Sequence, residues 1–290
     1  MIEEKYLSAG WGEKWPAPAK LNLMLRIVGR REDGYHLLQT VFQIIDMCDW
    51  LTFYPSEDGR VGLAAPTPGV REQDDLVVRA VSLLKAYTGY QGGVVIALEK
   101  NLPMGGGLGG GSSDAATVLL VLNKLWGLGL SEQELSDLGL RLGADVPVFI
   151  FGRSAWGEGV GESLREIDLP EKWYVIIKPD CHVNTGLVFS SEGLTRDSKN
   201  IKIDEFIAGN CVNDCEVVVR AKYYEVNAAL DALSSFSKAR LTGTGACVFA
   251  VFDSKTEAYT VSEMLKSRWS VFVAKGCLES PLHAQLKQLI

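Results

Sequence analysis

The stretch Leu102-Pro103-Met104-Gly105-Gly106-Gly107-Leu108-Gly109-Gly110-Gly111-Ser112-Ser113-Asp114 sets six glycines within seven positions and runs them into two hydroxyls. Glycine lets a backbone turn through positive φ and approach a ligand closely. The apolar residues 115–122 that follow read as a buried helix, whose first amides lack intrahelical acceptors. A glycine loop feeding such amides can hold an anion, phosphate above all. The apolar flanks argue against a flexible linker. The run lacks the Gly-Lys-Ser/Thr ending of a P-loop, and no acidic residue closes an ensuing strand as a dinucleotide fold requires, so both of those readings are rejected.

The elements that must position this loop show in the periodicity. Residues 93–98 read as a strand feeding it, and residues 75–84 as an amphipathic helix before that strand. Residues 21–27 and 41–46 read as strands joined by a polar turn around Arg30-Arg31-Glu32-Asp33-Gly34, and residues 61–69 as a Gly/Pro-rich connection. Ser131 and Glu134 have capping-box spacing. Residues 143–149 break the helical pattern, and 151–162 suggest a hairpin or tight turn. A second unit restarts with a strand at 173–177, followed by helices near 214–235 and 254–267 and strands at 246–252 and 269–274. That is a split β-α-β pattern with helices on one face. The tail beyond Pro281 adds little to it.

The chain has 290 residues, 47% of them hydrophobic, enough for a large core and near the length at which one domain divides into two. We expect units at 1–168 and 169–290. A formal charge of −7 argues against a broad nucleic-acid footprint, so no nucleic-acid partner is expected. No apolar run is long enough to span a bilayer and the start carries no targeting pattern, so the expectation is a cytoplasmic protein with no membrane partner, bacterial rather than plastid. Six scattered cysteines suit reduced structural thiols better than a disulfide or metal framework.

Three segments taken together resemble the GHMP kinase superfamily: Pro18-Ala19-Lys20-Leu21-Asn22-Leu23, the glycine run ending in Ser112-Ser113, and Leu241-Thr242-Gly243-Thr244-Gly245-Ala246. Within it, Asp33-Gly34-Tyr35-His36-Leu37, Gly143-Ala144-Asp145-Val146-Pro147-Val148-Phe149 and Asn213-Asp214-Cys215-Glu216 resemble the branch that phosphorylates a CDP-linked methylerythritol. The resemblance covers residues 15–280. It implies an α+β, two-domain GHMP kinase fold: a first domain like domain 2 of ribosomal protein S5, a ferredoxin-like second domain, and a cleft between them.

The same resemblance implies ATP as co-substrate with Mg2+, and transfer of its γ-phosphoryl group to the 2-hydroxyl of the methylerythritol moiety. Such transfer needs alignment, charge stabilisation and a destination for the hydroxyl proton. The resemblance assigns Asp145 as the base or hydroxyl-orienting group and Lys20 as the cation near the acceptor. Pro103, Met104, Gly105, Gly106, Gly107, Leu108, Gly109, Gly110, Gly111, Ser112 and Ser113 would hold ATP, with Asp114 capping the buried helix. Tyr35 and His36 would recognise cytosine, an aromatic face stacking while imidazole and backbone read the polar edge, with Phe189 as a further stacking surface. Asn22 would lie near the acceptor, with Asp180, His182 and Thr185 along a cleft loop. Thr242, Gly243, Thr244 and Gly245 form a second glycine loop pressed near the phosphates, in which Leu241-Thr242 replaces the Met-Ser or similar pair frequent in the family. No protein ligand to the metal is named, and a monomer or weak homodimer is expected. Two alternatives stay open: another alcohol kinase of the superfamily, whose acceptor lacks CDP, and a noncatalytic nucleotide-binding module.

Overall fold

The computed structural model describes residues 10–32 and 34–289, so Asp33, the first nine residues and Ile290 lie outside the described residues. Two long strands, β1 (Lys14–Arg30) and β2 (His36–Ser56), pair antiparallel around the expected polar turn. The connection expected at 61–69 begins instead with a short strand, β3 (Val61–Leu63). Three residues are too few to show a period, and β3 forms because a neighbouring edge is there to pair with. Helix α1 (Leu76–Thr88) starts at Asp75, whose side chain accepts from the Val77 amide, and ends in left-handed Gly89. It leads into β4 (Gly93–Glu99), the parallel partner of β3.

After the glycine run come α2 (Gly110–Leu125) and α3 (Glu132–Leu142), the latter opened by the Ser131/Glu134 capping box. The interruption expected at 143–149 is confined to its first residues. A six-residue helix, α4 (Val146–Phe151), follows, with Pro147 in the first turn, where a missing N–H leaves no intrahelical bond unmade. The hairpin or tight turn expected at 151–162 is a hairpin set further along the chain, β5 (Ala155–Glu158) and β6 (Ser163–Glu166), whose second strand lies beyond that range. Together these strands make a six-stranded sheet in which β2 pairs with β1, with β5 opposite Thr40–Phe42, and with β4 opposite Trp50–Ser56.

The second half runs β7 (Trp173–Lys178), α5 (Thr185–Phe189), α6 (Ile203–Ile207), α7 (Cys215–Lys222), α8 (Tyr224–Ser234), β8 (Arg240–Leu241), β9 (Val248–Phe252), α9 (Lys255–Leu265), β10 (Ser270–Lys275) and α10 (Pro281–Leu286). The single helix expected at 214–235 is two, because Tyr223 adopts an extended conformation between them. The four strands pair antiparallel in the order β10-β7-β9-β8, the ferredoxin-like arrangement.

Three cores hold these layers. One lies between the first sheet and α1–α4, a second between the second sheet and α7–α9, and a third packs Leu21, Met24 and Ile45 of the first sheet against Tyr174, Ile176 and Phe249 of the second. The tail does more than its sequence suggested. Leu282 and Leu286 of α10 are buried in the helix-side core of the first sheet, although α10 follows the second sheet in the chain.

A register shift between Pro18 and Ala19 matters for function. Trp15 and Ala17 face the helix-side core, whereas Ala19, Leu21 and Leu23 face the second sheet. The shift therefore re-aims β1, turning Lys20 and Asn22 toward the helices.

Candidate active site

The glycine run is clamped from both sides. Its Leu108 carbonyl accepts from the Lys20 amide at 3.0 Å, while Gly105 and Gly106 carbonyls accept from the Ala246 and Cys247 amides of the second glycine loop. Gly105, Gly107 and Gly109 have positive φ, and a Cβ on Gly107 would lie 2.4 Å from the Thr242 carbonyl. Gly109 is the N-cap of α2 and offers no side-chain cap, so the helix opens with its Gly110, Gly111 and Ser112 amides in the anion-binding position. Ser112 borders the cleft. Ser113 is buried, and its hydroxyl donates to the Pro18 carbonyl at 2.6 Å, so it fixes the loop to β1.

Asp145 ends the α3–α4 connection as the N-cap of α4, but its side chain does not cap that helix. It turns instead to Lys20, 3.2 Å away. The Lys20 side chain is 2% exposed against 39% for Asp145, so a sequestered ammonium meets a carboxylate open to ligand. Lys20 Nζ also donates to Asn22 Oδ1 at 2.5 Å and lies over the Phe42 ring. Asn22 in turn donates to Thr40 Oγ1, which fixes its amide with the oxygen toward Lys20.

Three cavities converge here. One of about 470 Å³ is lined by Pro103–Ser112 with Asp74, Leu98 and Lys100. A second of about 530 Å³ holds Lys20, Asn22, His182, Thr185, Phe189, Gly243, Thr244 and Gly245. Gly105, Gly107, Ser112 and Asp145 border both. A third, of about 570 Å³, shares Thr185 and Phe189 with the second and reaches Tyr35 and His36. His36 stacks on Phe189, ring centroids 4.9 Å apart, and Tyr35 is 63% exposed at the mouth. The structure thus brings together most of the residues singled out in the sequence, with exceptions. Asp180 borders none of these cavities. Thr242 is fully buried; its hydroxyl accepts from the Asn22 backbone N–H at 3.0 Å and donates to the Gly107 carbonyl at 3.4 Å, so it ties the two glycine loops and β1 together from behind.

Asp114 does not cap α2. It lies in the fifth position of the helix, where Lys100 Nζ reaches it at 2.7 Å and also pairs with Asp49. Asp49 is fully buried and accepts from the Asn101 and Leu102 amides at 2.6 and 2.7 Å, anchoring the entry to the glycine run. Burial pushes the Asp114 carboxyl up to about 7 against the pull of Lys100. Burial also opposes the charge on Lys100, but Asp114 and Asp49 outweigh it and hold its pKa above the ordinary value. The sequence held one signal for this cluster, a carboxylate within an otherwise apolar helix. Its partners come from two other elements and show no local pattern.

Among the described residues no group of three or more His, Cys, Asp or Glu is arranged to hold a metal ion, all six cysteines are unpaired, and no helix is long and apolar enough to cross a membrane.

Comparison with known proteins matches residues 75–153 to the GHMP kinases N terminal domain and residues 197–271 to the GHMP kinases C terminal domain. The chain is 57% identical over 263 residues to 4-diphosphocytidyl-2-C-methyl-D-erythritol kinase of Nitrosococcus oceani, covering 91% of this chain and 94% of that one. It is 54% identical to the enzyme of the same name from Methylococcus capsulatus, covering 94% of each. Its structure is similar to a crystal structure of 4-(cytidine 5'-diphospho)-2C-methyl-D-erythritol kinase, with a TM-score of 0.79 and 32% identity over 91% of this chain and 98% of that one.

Proposed function

The chain belongs to the GHMP kinases and, within them, to the 4-diphosphocytidyl-2-C-methyl-D-erythritol kinase family, and from that premise we propose how its cavities divide the work. It is a small-molecule kinase with ATP as co-substrate, phosphorylating the 2-hydroxyl of 4-diphosphocytidyl-2-C-methyl-D-erythritol in non-mevalonate isoprenoid precursor synthesis. The observation that carries the division is that two cavities meet at Gly105, Gly107, Ser112 and Asp145, with Lys20 paired to that aspartate. A phosphoryl donor lying along the glycine run and an acceptor beside Lys20 then face one another across Asp145.

In this reading the free amides of α2 bind and orient the donor phosphates. Asp145 accepts a hydrogen bond from the acceptor hydroxyl and takes its proton as the bond to phosphorus forms. Lys20, held by Asn22 and Phe42, fixes that carboxylate and offsets negative charge gathering on the transferred group. Tyr35, His36 and Phe189 hold the cytosine, and the third cavity shares Thr185 and Phe189 with the second. Mg2+, when bound with ATP, neutralises phosphate charge. Ser112, which borders both cavities, would offer it a hydroxyl oxygen. The bacterial relatives support a bacterial cytoplasmic setting.

The test is ATP- and magnesium-dependent ADP release with the CDP-linked methylerythritol, with mass spectrometry for phosphate addition to it. Addition is expected. A folded protein that binds ATP but adds no phosphate would overturn this assignment in favour of another acceptor or a noncatalytic role.

A further inference from the structure

One guanidinium organises the wall of the third cavity. Arg196 Nη2 donates to the Phe189 and Ser191 carbonyls at 2.8 Å each, and Nη1 donates to the Leu194 carbonyl at 3.1 Å. Its Nε donates to His36 Nε2 at 3.3 Å. A planar fork meeting three carbonyls and a ring nitrogen has a fixed orientation, which a lysine could not reproduce. The link also crosses the molecule, since Phe189 and Arg196 follow β7 whereas His36 begins β2.

The chemistry at His36 follows from this contact. A guanidinium has donors and no acceptor, so His36 Nε2 must present its lone pair, and the ring proton sits on Nδ1. Nδ1–H is then the ring group left for a ligand. The grip on the Phe189 carbonyl sets the backbone from which the Phe189 ring stacks on His36.

We propose that Arg196 is a positioning residue for acceptor specificity: it fixes His36 as a hydrogen-bond donor and Phe189 as its stacking partner, so that the pocket selects a pyrimidine with an acceptor at ring position 3. Cytosine has a lone pair at N3, whereas uracil has an N–H there that would oppose the imidazole donor. This rests on the reading of Tyr35, His36 and Phe189 as the base site. Desolvation, then Arg196, then Arg30 lower the His36 pKa, which keeps the ring neutral.

The test combines ring-nitrogen NMR of His36, assigned with His36→Gln, with kinetics on CDP-linked and UDP-linked acceptors for the wild type, Arg196→Met and Arg196→Lys. The wild type is expected to carry its proton on Nδ1, and Arg196→Met to show mixed tautomers. Losing the interaction should raise KM for the CDP-linked acceptor about tenfold and reduce the CDP-over-UDP preference by a similar factor, with KM for ATP changed less than about twofold. In a His36→Gln background Arg196→Met should cost no further CDP-over-UDP preference. If Arg196→Met also loses ATP binding through misfolding, Arg196→Lys decides by the same readouts. A wild-type ring protonated on Nε2, or unchanged base preference in a folded variant, overturns the proposal alone. A wild type that phosphorylates neither acceptor while keeping the Nδ1 proton overturns the base-site reading and the specificity claim with it.

Discussion

Replacing Lys100 with Met keeps most of the side-chain stem and removes the positive charge from between Asp49 and Asp114, whose side chains are 0% and 3% exposed. Breaking a buried ion pair on one side costs about 3–5 kcal/mol, because the remaining charge stays desolvated. Two features of the site shape that cost. Asp49 keeps its Asn101 and Leu102 amide donors. Asp114 already has one buried oxygen without a partner and relieves the loss by binding a proton. With the folded value raised from 3.8 to about 7, the folded state holds a proton that the unfolded chain releases. Stability therefore falls as pH rises between those values, and loss of Lys100 extends the fall to higher pH. Urea unfolding followed by circular dichroism should show Lys100→Met destabilised by about 3–5 kcal/mol near pH 8 and by less near pH 5. Adding Asp114→Asn should restore more than about 1 kcal/mol near pH 8. A loss below about 1 kcal/mol at every pH, or no recovery in the double variant, would refute the account of a stranded carboxylate.

Lys20→Met should behave differently, because its partner Asp145 is open to solvent: turnover is expected to fall by about 100-fold or more, with urea stability lowered by less than the Lys100 variant loses. Asp145→Asn should leave substrate binding largely intact and lower kcat by at least about 100-fold, measured by steady-state ADP release with calorimetric binding alongside. A Cβ at Gly110 meets protein only at 3.4 Å, so Gly110→Val should fold and raise KM for ATP, whereas Gly107→Ala should lower the melting temperature because its Cβ collides with the Thr242 carbonyl. Tyr35→Ala should raise KM for the CDP-linked acceptor and leave KM for ATP within about twofold, since Tyr35 borders only the third of the three cavities.

The glycine run was legible because conformational freedom, small size and a following apolar helix leave a local trace. The capping box at Ser131 was legible for the same reason: it is decided within a few residues. What the pattern could not reveal was set by distant partners. β3 exists through the edge of β4, and Asp49 meets Lys100 and Asp114 only once β2, β4 and α2 are assembled. Arg196 gave no signal, since its partners are mainly backbone carbonyls and its one side-chain partner lies 160 positions away. Lys20 and Asp145 could be named from resemblance. The shift at Pro18/Ala19 that turns Lys20 toward Asp145 appears only in the paired strands.

The return of α10 to the first core has a consequence for how the polypeptide is made. A ribosome delivers the strands and helices of the first unit early, but Leu282 and Leu286 emerge only after the whole second sheet. The nascent first unit must wait with part of its apolar interior uncovered while the second is synthesised and folds. Once α10 docks, the second unit is an insertion stitched to the first at both ends. Such double attachment ties the two units through two crossing segments, so any swing of one against the other has to be absorbed at both crossings together.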